Sequence, residues 1–319
     1  MSPETLAGPK AEVSTTMPLF AISIIIAVYN DWMRLDSCLR SLAEQGNGPE
    51  FEVIVVDDGS NDPAPEMIRH WEQALPLTMA RQSHAGISAA RNHGIQLSKG
   101  SVLLFVDADC RLQANCLAAL EVTIASSPQH NSFQLRLIGD CSTLVGRSEH
   151  LRLTSIQKQM LQPDGSLRYL NTAGFAIRRS SVPADGGLFD LDAVRGEDTL
   201  VLADLVQRGE LPFFVPDAVV QHHIPLSVLR CIRKDIRSAF IEGGTYALIA
   251  SRQIKIRMSN RERLQMLRSM WKDAKQPSIG RSAGLVLALR QLLGRTSSLV
   301  YRVLHRRADF RAERSSSVN

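Results

Sequence analysis

Three apolar runs that each break off into a polar cluster constrain this chain more than any other feature. Ile22–Val28 (ISIIIAV) ends at Tyr29-Asn30, Glu52–Val56 (EVIVV) runs into Asp57-Asp58-Gly59-Ser60, and Ser101–Val106 (SVLLFV) delivers Asp107-Ala108-Asp109. Apolar runs without alternation suit strands buried on both faces of a parallel sheet. Between the first two, Leu35, Cys38, Leu39 and Leu42 recur at helical spacing, with Asn30 placed as a cap and Gly46 as a stop. Gly86–Ser98 reads as a second helix, ended by Gly100. Strand, helix, strand, helix, strand predicts a mostly parallel, doubly wound α/β sheet. Ligands of such sheets sit outside the carboxyl ends of the strands, so the three polar clusters should share one crevice.

The crevice lacks the usual phosphate-binding loops. There is no G-x-G-x-x-G turn and no G-x-x-x-x-G-K-[ST], which disfavours dinucleotide oxidoreductases and P-loop NTPases. A nucleotidyltransferase would need a Gly-rich loop after the first strand, and none is present. Asp107 and Asp109 offer another route to phosphate. Carboxylates two residues apart at a strand exit can reach one divalent cation and a neighbouring ribose together, and hard oxygen ligands suit Mn²⁺ or Mg²⁺.

The second half is less regular. A helix is expected near Glu149–Leu161, and a strand at Phe175–Arg178. Gly196-Glu197-Asp198 opens an apolar helix that stops at Gly209. Phe213–Val215 and Ala218–Val220 read as two short strands ending at His222-His223. Basic helical stretches follow at Ser227–Arg252, Asn260–Lys275 and Ala283–Arg307, none with the ~20 apolar residues of a membrane span.

Seven segments in order, SIIIAVYND, VIVVDDGSND, HAGISAARNHGI, SVLLFVDAD, TAGFAIRR, GEDTLVLADLVQRG and PDAVVQHH, resemble the inverting, family-2 type glycosyltransferases with the GT-A fold. The resemblance covers roughly residues 20–225. It implies that Ala27, Tyr29 and Asp58 sit in the nucleotide site, with Asp58 accepting from a base N–H. It further implies that Arg91 lies near that site, Asp107 near the ribose, and that Asp109 is the main protein ligand of the metal. The general base that takes the acceptor proton would come from Glu197-Asp198, Asp198 first. His222, or less favourably His223, would approach the metal or the diphosphate. Three positions depart from the family pattern: Gly174 stands where an asparagine is common, and Leu200 and Asp204 stand where the helix usually continues with an acid and later an arginine, which bears on acceptor recognition more than on donor binding. The Q-x-x-R-W motif of processive synthases is absent, which implies addition of a single sugar.

These readings divide the chain into a disordered lead-in (1–18), a catalytic domain (19–225), a basic helical extension (226–310) and a flexible tail (311–319). The catalytic domain would comprise a nucleotide-binding half (19–125) and an acceptor half (126–225). The expected partners are a nucleotide-diphosphate sugar, with UDP-sugars first, and a glycan, lipid-linked or small-molecule acceptor. The alternative is a catalytically silent nucleotide-sugar-binding or scaffold protein of the same fold. Five cysteines without a C-x-x-C pair argue for a reducing, cytoplasmic setting. From Ile224 onward 20 Lys and Arg face 6 Asp and Glu, a net +14 against −9 for the rest. A basic extension on an acidic body suggests attachment to the inner face of an anionic membrane. Nucleic acid is disfavoured because few aromatic residues are available for stacking.

Overall fold

The structure is a computed structural model that describes residues 21–316 except 194, 225, 252–255 and 257. The expected lead-in 1–18 therefore lies outside the described residues. Strand β1 (Ile22–Val28) lies at the centre of the parallel region, between β2 (Phe51–Asp57) and β4 (Val102–Phe105). The parallel set is completed by β3 (Leu77–Arg81), which the sequence reading missed. Its residues are only half-buried or exposed, so its hydrophobic signal is weak.

The full sheet has eight strands in the order β3-β2-β1-β4-β7-β6-β8-β5. Beyond β4 it becomes mixed: β7 (Phe175–Arg178) runs antiparallel to both β4 and β6 (Ser132–Gly139). β8 (Phe213–His222) is parallel to β6, and the three-residue β5 (Cys110–Leu112) pairs antiparallel with β8. The expectation of a mostly parallel sheet thus describes its first half. The two short strands expected at 213–220 are one strand, whose register to β6 shifts between Leu135 and Arg136.

Alternate residues of β1 feed two cores. Ile22, Ile24, Ile26 and Val28 face Leu35, Cys38, Leu39 and Leu42 of α1 (Trp32–Ala43), while Ile25 faces Ala90 and Ile95 of α3 (Ile87–Leu97). Each fully buried isoleucine contributes roughly 1.5–3 kcal/mol of transfer free energy. Asn30 does not cap α1. It adopts φ 54°, donates its N–H to Ser60 Oγ (2.8 Å) and accepts from Asn61 N (2.8 Å), tying the ends of β1 and β2 together. The helix starts after Asp31 and ends at Ala43, short of Gly46.

Helix α5 (Leu144–Met160) starts five residues earlier than expected and lies against β6. Its Gln157 donates to Leu137 O (2.7 Å) and accepts from Leu137 N (2.9 Å), supplying backbone partners where β7 has ended. The approach is close at Gly146, where a Cβ would stand 1.7 Å from the Asp140 carbonyl oxygen. Gly146→Ala should therefore push α5 off β6 and cost about 1–3 kcal/mol, read as a lower denaturation midpoint. An unchanged midpoint would contradict the packing described.

The basic extension forms α7 (Val228–Ser251), α8 (Asn260–Asp273) and α9 (Arg281–Ser316). α9 reaches into the stretch expected as a tail, of which residues 317–319 lie outside the described residues. Leu151 of α5, Met266 and Met270 of α8, and Ala283 and Leu287 of α9 form a shared buried cluster. All five cysteines are free. Among the described residues no helix is long and apolar enough to cross a membrane.

Candidate functional site

The parallel strands present their carboxyl ends at one edge of the sheet. There Tyr29 is exposed and stacks on His84, with ring centroids 4.3 Å apart. Ala27, half-buried, precedes it on β1. Gly59, Arg81, Gln82, Ser83 and His84 line an open cleft beside this stack. Gly59 has φ +76°, and a Cβ there would meet His84 N at 2.7 Å, so only glycine lets the 82–86 loop pack down.

Asp58 is 3% exposed, and its carboxylate accepts from Gln82 Nε2, Ala85 N and Gly86 N, each at 2.9 Å. His84 Nδ1 stands 2.9 Å from its Oδ2. These contacts fasten the 82–86 loop that borders the cleft at the end of β2.

Arg91, on α3, is 2% exposed and bridges two carboxylates, donating to Asp107 Oδ1 and Glu197 Oε1 at 2.7 Å each. Its guanidinium lies over the Phe189 ring. Glu197 opens α6 (Glu197–Gln207) after Gly196 in the left-handed region. Burial alone would raise the Glu197 carboxyl, but Arg91 outweighs it and holds it below the ordinary value. Glu197 therefore anchors Arg91 as a carboxylate. The next residue, Asp198, is half-buried, and its Oδ1 accepts from Thr199 N (2.6 Å) and Thr199 Oγ1 (3.1 Å).

The turn after β4 sends the chain into β5, whose Cys110 pairs with His222 of β8. That pairing sets Asp109 against His222: Nε2 of His222 is 3.2 Å from Asp109 Oδ2, and Arg34 Nη1 donates to the same oxygen at 3.2 Å. His223 points elsewhere, with Nδ1 2.6 Å from Asp140 Oδ2. Asp109, Cys110 and His222 offer ligand atoms within 4.8 Å of one another. Burial raises the Cys110 thiol well above its usual value, so the donor set that fits a hard divalent cation is the Asp109 oxygen with the His222 nitrogen.

The charges here are strongly coupled. Burial would lower His222, but Asp109 and then Glu149 reverse this and hold it at about 10. Burial would raise Asp109, yet His222, Lys234 and Arg34 bring it down to about 2. In metal-free protein, the histidine contribution to stability is complete below the ordinary value of 6.5 and is lost as pH climbs through about 10. The Asp109 contribution is complete above 3.8 and is lost as pH falls through about 2. In chelator, wild-type melting should accordingly fall between pH 7 and 10 more steeply than that of His222→Gln. Parallel slopes for the two proteins would refute this coupling.

Gly174 and Leu200, two of the departures from the family pattern, lie in packed interior. A Cβ on Gly174 would stand 2.8 Å from Leu137 Cδ2, so the space of an asparagine is filled by packing. Leu200 is buried in the core beneath α6. Sequence reasoning missed Arg34, Glu149 and Lys234, whose charges act on Asp109 and His222. Only Arg34 left a local signal, its i,i+3 spacing from Asp31, with which it forms an ion pair at 2.6 Å.

Solved structures share this architecture. A mannosyltransferase from Pyrobaculum calidifontis, in complex with GDP-Man and Mn²⁺, aligns with a TM-score of 0.60 over 89% of this chain and 87% of its own, at 17% identity. S. aureus TarS 1-349 in complex with UDP-GlcNAc aligns with a TM-score of 0.54 over 88% and 89%, at 18% identity. The fold is GT-A. In sequence, the glycosyltransferase AglE of Haloferax volcanii is 36% identical over 101 residues, covering 31% of this chain and 33% of its own length. The matched segment thus spans about a third of that relative. Residues 23–184 match the family described as Glycosyl transferase family 2, about half of the sequence. This chain belongs to glycosyl transferase family 2.

Proposed function

We propose that the protein is a metal-dependent, inverting glycosyltransferase that moves one sugar from a nucleotide-diphosphate sugar, UDP-linked in the first instance, to a hydroxyl. The acceptor class is a glycan, a lipid-linked saccharide or a small molecule. The observation that carries the reading is the meeting of Asp109 and His222 at the strand edge that also holds Asp107 and the Tyr29–His84 stack. The neighbours bound to GDP-Man with Mn²⁺ and to UDP-GlcNAc support a nucleotide-sugar donor and a divalent ion.

In this reading Tyr29, His84 and the cleft at Gly59 receive the base, Ala27 borders the nucleoside, and Asp107, held by Arg91, meets the ribose. Asp109 and His222 hold Mn²⁺ or Mg²⁺, which when bound neutralises charge on the departing diphosphate. Arg34 stands beside Asp109 as a fixed cation for phosphate oxygens. Asp198 takes the proton from the acceptor hydroxyl as its oxygen attacks the anomeric carbon from the face opposite the diphosphate. One displacement without a covalent enzyme intermediate inverts that carbon. A thermal-shift screen of UDP-, GDP- and dTDP-sugars with Mn²⁺ tests donor binding, since a ligand at 100 times its Kd stabilises by about 2.7 kcal/mol. A shift with at least one donor is expected; none across the panel would refute the assignment.

A feature of α9 supports the expected membrane partner. Leu285, Leu289, Leu292, Leu299 and Val303 are exposed along one face, at spacings that keep them in line. The extension around this face is strongly basic, and a basic amphipathic helix fits an anionic bilayer surface. Sedimentation with phosphatidylglycerol vesicles should show binding that high salt weakens and that Leu289→Asp with Leu292→Asp removes. Binding indifferent to these changes, or a dimer abolished by the same pair, would overturn the assignment.

A further inference from the structure

His222 is held from both sides. Its Nε2 faces Asp109, and its Nδ1 lies 3.6 Å from Oε1 of Glu149, an ion-pair contact slightly beyond hydrogen-bond reach. Glu149, on α5, is 2% exposed. It accepts from Arg152 through Nε (3.0 and 3.1 Å) and Nη2 (2.5 Å), and from Arg290 Nη2 at 3.1 Å. Arg290 comes from α9, the far end of the chain, and is itself 7% exposed. Its Nε donates to Asp235 of α7 at 2.6 Å, and its Nη1 to Ser148 Oγ at 2.9 Å. Alternating charges therefore run without a gap from the extension to the strand edge: Asp235, Arg290, Glu149, His222, Asp109.

Stability alone gives little reason for this chain of buried charges. Apolar residues of similar volume often serve as well or better in such places, and α9 already turns Ala283 and Leu287 inward. The metal reading gives a reason. A histidine that binds a cation through Nε2 is neutral and carries its proton on Nδ1, and that proton needs an acceptor that fixes the ring. Glu149 stands at that nitrogen. As a buried carboxylate it needs cations around it, and Arg152 shares its helix while Arg290 reaches in from the extension.

We infer that Glu149 is a positioning residue that sets the His222 ring with Nε2 toward the metal, and that Arg290 holds Glu149 in place. The C-terminal extension is thereby a working part of the metal site. This rests on the reading that Asp109 and His222 bind the cation.

Mn²⁺ affinity of the full-length protein, measured from free Mn²⁺ by electron paramagnetic resonance, tests it without recourse to activity. Glu149→Gln should weaken affinity about 10- to 100-fold. Arg290→Met should weaken it by a smaller factor, roughly 3- to 30-fold, with Arg290→Lys partly restoring it. Melting curves in chelator identify variants that have not folded; if Glu149→Gln is one of them, Arg290→Lys and Ser148→Ala carry the comparison. Wild-type affinity in the folded variants, while Asp109→Ala loses Mn²⁺, would overturn this inference and leave the metal reading standing. If Asp109→Ala keeps wild-type affinity as well, both fall.

Discussion

Asp109→Ala is expected to abolish metal-dependent donor binding and to reduce turnover at least about 10³-fold, the equivalent of roughly 4 kcal/mol. Asp109 supplies the carboxylate of the proposed donor set, and the Cys110 thiol beside it is held too high to replace that charge. Removing it also leaves Arg34 and His222 facing each other without the oxygen they share at 3.2 Å. Asp109→Asn keeps the volume and should lose metal affinity with less damage to the fold. Calorimetric titration of a UDP-sugar with and without Mn²⁺ distinguishes the outcomes. Donor binding that still responds to Mn²⁺ in both variants would place the metal elsewhere.

Asp198→Asn is the second large effect. Donor and metal binding should persist, because Asp198 lies at the start of α6, where its Oδ1 accepts from Thr199, whereas the proposed metal ligands Asp109 and His222 lie on the turn after β4 and on β8. Turnover should fall about 10²- to 10⁴-fold, the usual contribution of a general base. Glu197→Gln has a different expected signature. It removes the charge that anchors the Arg91 guanidinium at 2.7 Å and so loosens the cation that holds Asp107, which should weaken donor binding as well as turnover. Equal losses of donor affinity in the two variants would deny Asp198 its separate role.

Legibility in the sequence followed how locally each feature is encoded. Ile22–Val28 matches its strand to the residue, because six apolar residues in seven positions, nearly all buried, leave one interpretation. The cluster at Asp107-Ala108-Asp109 was readable because it directly follows such a run. β5 was not readable: three residues form a strand only because β8, over a hundred positions away, offers an edge to pair with. That same pairing decides which histidine meets Asp109, and no local pattern separates His222 from His223.

Asp58 illustrates a different limit. Its position at the strand end was legible, but its hydrogen bonds come from a loop 24 to 28 residues later. Residue type marks a carboxylate as a good acceptor; it does not identify the donors. Glu149 and Arg290 lie 141 residues apart and read in sequence as ordinary helix-surface charges. Their burial follows from α9 folding back onto α5, which no local period encodes.

The central claim is catalysis of sugar transfer at this strand edge. Release of nucleoside diphosphate from a panel of nucleotide sugars, with Mn²⁺ and a set of hydroxyl acceptors, measures it most directly. The account predicts release with at least one donor, stopped by chelator and by Asp109→Ala, and reduced to near background by Asp198→Asn while that variant still binds donor. Release that persists in both variants, or its absence with every donor and acceptor in the presence of Mn²⁺, would contradict it.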